Sequence, residues 1–496
     1  MRCAGASPSS ADTASPTTSS PRCDAASSER PTCRGPGVVS SRSPANPGRL
    51  QARIALLRST GRIGMATRML FGLLLLATLA GSGTVLAQDA GAGKLTGDWG
   101  GFRTDLAKAG VDVQLGYTSE LAYNPAGGTR DQLSYTDQLS FGATFDLDRL
   151  LGVHDAKIQL TITDRNGRNL SDDAHLGTLQ QVQEVFGRGQ TWRLTQFWYD
   201  QTYFSGLLDW KIGRLTVGED FAAFSCKFQN LTFCGSMPGN IVGNYWYNWP
   251  VSQWATRLKV NIDGVGYIQT GAYQMNLGFL NVTDAVLPNN PSGTTGVMIP
   301  VEFGWTPTLG PARLPGSYKF GAWYDTSTAP DVFEDDDGNP EVLTGRPFRD
   351  RHGRYGAYIN FLQQLTRPDP DDPSRGLSVF LNATIADRRT STIDDQVALG
   401  LIYTGPFDAR PKDEIGVAFG RTHVNGRVAK GQRLLNHAGL GPVAVQDAEY
   451  AFEVYYGLQA TNWLMARPNI QYVHLPGGTR HNDDVVVIGL KTSIDF

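Results

Sequence analysis

The end of the chain alternates: Val486, Ile488, Leu490, Thr492, Ile494 and Phe496 hold one set of positions, and Val487, Gly489, Lys491, Ser493 and Asp495 hold the other. A period of two places these sets on opposite faces of one extended strand. The pattern returns in Phe452, Val454, Tyr456 and Leu458 against Glu453, Tyr455, Gly457 and Gln459, and in Trp254, Thr256, Leu258, Val260 and Ile262 against Arg257, Lys259 and Asn261. A chain made of such segments is a sheet with one oily face, which needs either a packed core or lipid. The longest apolar run, residues 69–80, falls short of the ~20 residues a membrane helix requires, so a polytopic helical membrane protein is excluded. A membrane β-barrel is not excluded, because only alternate residues of its strands meet lipid and a composition of 41% hydrophobic residues hides them.

Three features choose the barrel over a soluble sandwich. The chain stops on the aromatic Phe496 at the end of an amphipathic strand, as outer-membrane proteins do. Sixteen candidate strands can be placed, at 111–123, 133–147, 156–164, 195–203, 210–215, 253–262, 267–276, 297–306, 318–325, 353–365, 377–386, 397–405, 413–422, 446–459, 463–473 and 485–496. An even count returns both ends to one side. The gaps between strands alternate in length, with the longest at 165–194, 216–252, 277–296, 326–352 and 423–445. Long external loops on one rim and short periplasmic turns on the other are the asymmetry of outer-membrane barrels. The expected fold is all-β, a transmembrane antiparallel β-barrel of about 16 strands with inward-folded loops and short helices. Phe145, Tyr267, Trp305, Tyr318, Tyr403 and Phe496 are expected to form an aromatic girdle near the short-turn rim.

The first 87 residues read differently. Residues 1–64 are rich in Ser, Pro, Ala and Arg without period, which is a mispredicted start or a disordered extension rather than a core. From Met65 a basic start, the apolar stretch 69–77 and the small residues Val85-Leu86-Ala87 before Gln88 follow the order of a secretory signal peptide, assigned to 65–87. The barrel is then 88–496, and export places it in the Gram-negative outer membrane. The leader region holds 10 Arg, no Lys and three acids, which leaves the remainder with a net charge of −10 and unsuited to nucleic acid. Cys3, Cys23 and Cys33 fall in that region, so Cys226 and Cys234 remain. In an exported chain they suggest one disulfide around a small loop, and a metal pair is the weaker reading because no His lies in 219–240. The expected partners are neutral sugars, outer-membrane lipid and lipopolysaccharide, the barrel-assembly machinery through the terminal Phe496 strand, and two further copies in a homotrimer.

Signatures of catalysis are sparse. The seven His never form H-E-x-x-H, and no phosphate-binding loop, G-x-S-x-G or dinucleotide fingerprint is present, so no enzyme and no cofactor are expected. A barrel enzyme with its triad spread over several strands stays open as an alternative, since a triad is recognised by geometry. The run 334–341 (Glu334-Asp335-Asp336-Asp337-Gly338-Asn339-Pro340-Glu341) reads as a solvated acidic loop tip, with divalent-cation binding as its alternative. The gap 216–252 is the unusual segment, carrying Glu219, Asp220, Cys226, Lys227, Cys234, Asn240, Asn244, Tyr245, Trp246, Tyr247, Asn248 and Trp249. Folded into the lumen it would offer flat apolar faces beside amides and charges, which suits a neutral carbohydrate. Packing of the same aromatics against the wall is the alternative. Lumen-facing parity adds Lys211, Arg257 and Lys259, with Asp164 and Arg165 at the top of the third strand. The expected substrate-binding set is therefore Asp164, Arg165, Lys211, Glu219, Asp220, Asn240, Trp246, Trp249, Arg257 and Lys259. Its mixed signs oppose a phosphate-selective pore lined by a basic ladder.

Several stretches resemble the carbohydrate-selective porins of the OprB type. They are Leu95-Thr96-Gly97-Asp98-Trp99-Gly100-Gly101-Phe102-Arg103 with Leu106 and Ala109-Gly110-Val111, then Gln196-Phe197-Trp198-Tyr199, Ile212-Gly213-Arg214-Leu215 with Asp220-Phe221, Cys226-Lys227-Phe228-Gln229-Asn230-Leu231, and the terminal Phe496. The resemblance implies a sixteen-stranded outer-membrane barrel whose inward loops narrow a path for passive diffusion of glucose and related sugars. It implies a periplasmic-side helix near Phe102 to Ala109. The spacing of Leu179, Val182, Val185 and Phe186 predicts a second short helix inside or above the pore. A general diffusion porin is the remaining alternative.

Overall fold

The computed structural model describes residues 93–283, 285, 286 and 292–496. The extension at 1–64 and the signal peptide at 65–87 lie outside the described residues. Alternating residues build strands β1 (Val111–Ala126), β2 (Leu133–Asp146), β3 (Ala156–Gly167), β4 (Trp192–Tyr203), β5 (Leu208–Leu215), β6 (Gln253–Ile262), β7 (Gly266–Asn276) and β8 (Thr294–Trp305). After a two-residue strand β9 (Thr308–Leu309) come β10 (Leu314–Asp335), β11 (Phe348–Gln364), β12 (Gly376–Ala386), β13 (Ile393–Thr404), β14 (Glu414–Val424), β15 (Ala448–Thr461), β16 (Leu464–His474) and β17 (Val485–Asp495). Each wall strand runs antiparallel to its neighbours, β8 pairs directly with β10, and β1 pairs with both β2 and β17. The sixteen wall strands thus close on themselves, which removes the free edges an open sheet would present.

Parity decides which face each residue takes. Ile488, Phe452 and Leu258 are exposed on the outside, while their neighbours Lys491, Glu453 and Arg257 are buried inside. Trp305, Tyr318 and Phe361 pack side by side on the outside as tilted rings, with centroids 5.1 Å and 5.3 Å apart. Phe145 and Tyr403 share the outward faces of exposed Phe141 and Leu401. Tyr267 departs from the expected girdle: it points inward and its hydroxyl donates to Glu302 at 2.7 Å. Its exposed neighbour Ile268 takes the outward position, because the strand period allows only one of the two to face lipid.

The opening motif closes the barrel where its ends meet. Gly100 and Gly101 take φ values of +70° and +99°, which let the chain turn into the helix Phe102–Lys108. Asp98 accepts the backbone N–H and the hydroxyl of Thr104 at 2.9 and 2.7 Å. Arg103 lies 4.6 Å over the Trp99 ring and donates to the Phe496 carbonyl at 2.6 Å and to Val113 O at 3.1 Å.

The connections differ from expectation in two places. The gap 326–352 is mostly strand: β10 and β11 continue beyond the wall as a long hairpin whose tip is the acidic run. There Asp335 accepts the N–H groups of Asp337 and Asn339, while Glu334 meets Arg351 at 2.7 Å and Arg427 at 3.3 Å and Asp337 pairs with Arg346. The tip is therefore a hairpin neutralised by arginines. The stretch from Leu179 to Phe186 is not helical, although Val182 and Val185 are buried as an amphipathic segment requires. Its N–H groups go to wall carboxylates instead of to i−4 carbonyls: Leu179 N to Glu449 at 2.6 Å and Val185 N to Glu120 at 3.1 Å.

Candidate functional site

Two long connections, 168–191 between β3 and β4 and 216–252 between β5 and β6, fold back into the lumen. Inward-facing glutamates of the wall hold them there. Glu453 accepts the N–H groups of Gln229 and Asn230, both at 2.8 Å, Glu302 accepts Ala222 N at 2.8 Å, and Glu414 pairs with Lys227. Each carboxylate replaces the water that an irregular buried backbone would otherwise lose. Cys226 and Cys234 are joined by a disulfide that closes the segment carrying Phe228 and Phe233. These rings pack against Phe380 and Tyr455 of the wall, with Phe228 centroids 5.9 and 4.9 Å away.

The remaining aromatics of this loop fasten it to the wall. Trp246 is fully buried, meets Trp323 at 5.2 Å and Tyr358 at 5.9 Å edge to face, and donates Nε1–H to Ser236 at 3.0 Å. Tyr245 and Tyr247 are buried in the same cluster with Phe221, Tyr273 and Met298. Trp246 therefore has no free face for a solute, contrary to its place in the expected set.

Between the loops and the wall from β1 to β3 and β17 lies a cavity of about 760 Å³. It is bordered by Arg165, Glu219, Asn240 and Trp249 of the expected set. Trp249 donates its indole N–H to Gln138 at 2.8 Å, and Arg165 donates Nε–H to the same oxygen at 2.8 Å. Glu219 accepts from Gln196 Nε2 at 3.1 Å. Protein crowding around this carboxyl, with Asp220 beside it, pushes its pKa up to about 7 against the pull of Lys211.

The other expected residues lie elsewhere. Lys211 pairs with Asp220 at 2.7 Å, and Arg257 binds Asp209 at 2.6 Å and Asp200 at 3.2 Å. This closed network on β4 to β6 anchors the start of the loop: Tyr273 also donates to Asp220. Lys259 lies 4.6 Å over the Tyr267 ring. Asp164 takes the outward face with Ile162, in register with exposed Trp192, so it does not reach the lumen. Only one of two successive strand residues can face inward, and that one is Arg165.

Sequence reasoning missed Glu184, Arg188 and Lys491 at the cavity border. Lys491 meets Glu184 at 2.6 Å and Glu120 at 3.3 Å, joining the loop 168–191 to the wall. Its inward parity was legible; the partner that a loop would bring was not. At the far rim Asp394, Asp395 and His423 form a compact group, with Arg388 and Arg421 paired to the two carboxylates.

Comparison with known proteins agrees with this architecture. Residues 130–496 match the model of the family described as carbohydrate-selective porin, OprB family. Porin B of Pseudomonas aeruginosa is 47% identical over 415 residues, 81% of this chain and 91% of that protein. A putative porin QuiX of Acinetobacter baylyi is 36% identical over 423 residues, 81% of this chain and 93% of that protein. The high-pH structure of Pseudomonas putida OprB superposes with a TM-score of 0.80 at 45% identity, covering 83% of this chain and all of that one. With a closed barrel, inward loops and a polar cavity between them, the chain belongs to the OprB family of carbohydrate-selective outer-membrane porins.

Proposed function

We propose that the cavity beside Arg165, Glu219, Asn240 and Trp249 is the constriction through which glucose-like sugars diffuse passively into the periplasm. The observation that carries this reading is the lining itself: one indole face, amides from Gln138, Gln180 and Asn240, and charges of both signs around about 760 Å³. A sugar presents apolar C–H faces and a ring of hydroxyls that each donate and accept, and such a wall answers both. The binding must stay weak, since a solute that binds tightly does not leave. Lys211, Asp220 and Arg257 act indirectly in this reading, by fixing the loop that carries Glu219. Residues 65–87 serve as the export leader, and the porin fold makes the protein a channel, with no catalytic step required for passage.

The test is single-channel current in a planar bilayer under glucose titration. Saturable block by glucose, weakened several-fold by Trp249→Ala, is the expected result. Conductance without block would make the protein a general diffusion porin and sink the sugar-selective reading.

A further inference from the structure

At the loop rim, β13 and β14 bring together three metal-ligating side chains that the sugar path does not use. Asp395 and His423 pair across the two strands and take the outward parity of exposed Leu399 and Phe419. A register shift between Ile393 and Asp395 inserts Asp394 as an extra residue, so two carboxylates on β13 oppose one imidazole on β14. His423 Nδ1 lies 2.6 Å from Asp394 Oδ1 and 3.2 Å from Asp395 Oδ2. The other oxygen of each carboxylate is taken: Arg388 Nε meets Asp394 Oδ2 at 2.9 Å, and Arg421 meets Asp395 Oδ1 at 2.5 Å. On the far side of the ring, Nε2 faces Asp447 Oδ1 at 3.4 Å.

We infer that Asp394, Asp395 and His423 bind one divalent transition-metal ion of the zinc class. Their donor atoms lie within 4.8 Å of one another. Donors about 2.1 Å from a tetrahedral centre stand about 3.4 Å apart, and the two nitrogen–oxygen distances fall short of that by less than about 1 Å, which side-chain rotation supplies. A single N–H on Nδ1 satisfies one carboxylate at best, so a divalent ion answers the convergence of two anionic oxygens better than a proton does. The surrounding groups form the support that ligands of a metal carry: the arginines orient the carboxylates through their outer oxygens, and Asp447 draws the ring proton to Nε2, which turns the Nδ1 lone pair toward the centre. A nitrogen among the donors favours a first-row transition ion over calcium or magnesium, which take oxygen ligands. Such an ion clips β13 to β14 at the foot of the connection 425–447, which carries the helix Gly426–His437.

The experiment uses the full protein purified from outer membranes in detergent, stripped with EDTA, dialysed, and titrated in a calorimeter with zinc chloride, then with calcium and magnesium chloride. Heat resistance on gels confirms that each variant is a folded barrel. One zinc ion per chain is expected, with no comparable step for calcium or magnesium. His423→Gln and, independently, Asp395→Asn should remove that step. Asp447→Ala, which leaves all three donors in place, should weaken it by about 10- to 100-fold. His474→Gln, which alters the separate pair of His474 with Asp484 at 2.9 Å, should leave it unchanged. Absence of the step in the unaltered protein overturns the inference and leaves His423 as an imidazolium held by its carboxylates. Survival of the step in His423→Gln, or calcium binding as tightly as zinc, overturns it as well, since either outcome makes the metal a guest of the acidic surface alone.

Discussion

Glu453→Gln tests whether wall carboxylates hold the inward loop. Glu453 is completely buried and accepts two backbone N–H groups, from Gln229 and Asn230, each at 2.8 Å. A glutamine of the same shape accepts one of them and turns its own N–H₂ toward the other, so one charge-assisted bond is lost and one buried donor is left facing a donor. Hydrogen bonds to charged groups contribute about 1.5–3 kcal/mol, and leaving a buried group unpaired costs about 1–3 kcal/mol. Part of this overlaps, and a net loss of roughly 2–4 kcal/mol follows for the segment closed by Cys226 and Cys234. At 1.4 kcal/mol per tenfold, amide exchange at Gln229 and Asn230 should accelerate by roughly 30- to 700-fold. The barrel ladder is untouched, so the amides of Phe452 and Val454 beside the mutated residue should keep their protection. Hydrogen exchange read by mass spectrometry on the protein in detergent resolves the two regions. Unchanged protection at Gln229 and Asn230 would refute the anchoring role; loss everywhere would show that the segment supports the whole wall.

Three other perturbations have defined outcomes. The Glu219 carboxyl, pushed up to about 7 by the protein atoms crowding it and by Asp220, is mostly neutral at pH 6 and mostly charged at pH 8, so the cation-to-anion permeability ratio should rise across that interval; Glu219→Gln should flatten the step. Trp246→Ala removes a fully buried ring and should cost about 3–5 kcal/mol of loop packing, seen as larger and noisier single-channel conductance with the barrel still heat-resistant on gels. Arg103→Ala cuts the bond to the Phe496 carbonyl, and a loss of about 1.5–3 kcal/mol should lower the urea midpoint of unfolding in lipid without altering conductance.

The barrel was legible because its signal is local and repeated. Each strand carries its own alternation, and sixteen expected strands meet sixteen in the wall, with ends shifted by a few residues where pairing extends past the apolar stretch, as in β4, and by ten residues at the end of β10, where the hairpin leaves the wall. The stretch from Leu179 to Phe186 shows where local pattern misleads. Helical spacing marked Val182 and Val185, which are buried, together with Leu179 and Phe186, which are half-buried at the cavity, but Glu449 and Glu120, far away in sequence, drew off the N–H groups a helix would use. The disulfide between Cys226 and Cys234 was foreseeable from compartment and proximity.

The chain's own text determined the strands, most of their inward and outward faces, and the aromatic segment that could enter the lumen, since these rest on period two and on short-range composition. The tertiary structure decided which members of that loop meet the solute. Trp246 and Trp249 are three residues apart and chemically alike, yet one is sealed against Trp323 and Tyr358 and the other borders the cavity. Lys491 finds Glu184 only because a loop returns from 307 residues away in the sequence. Parity assigns a face to each residue, but whether a charge on that face is neutralised depends on what the closed barrel brings opposite it.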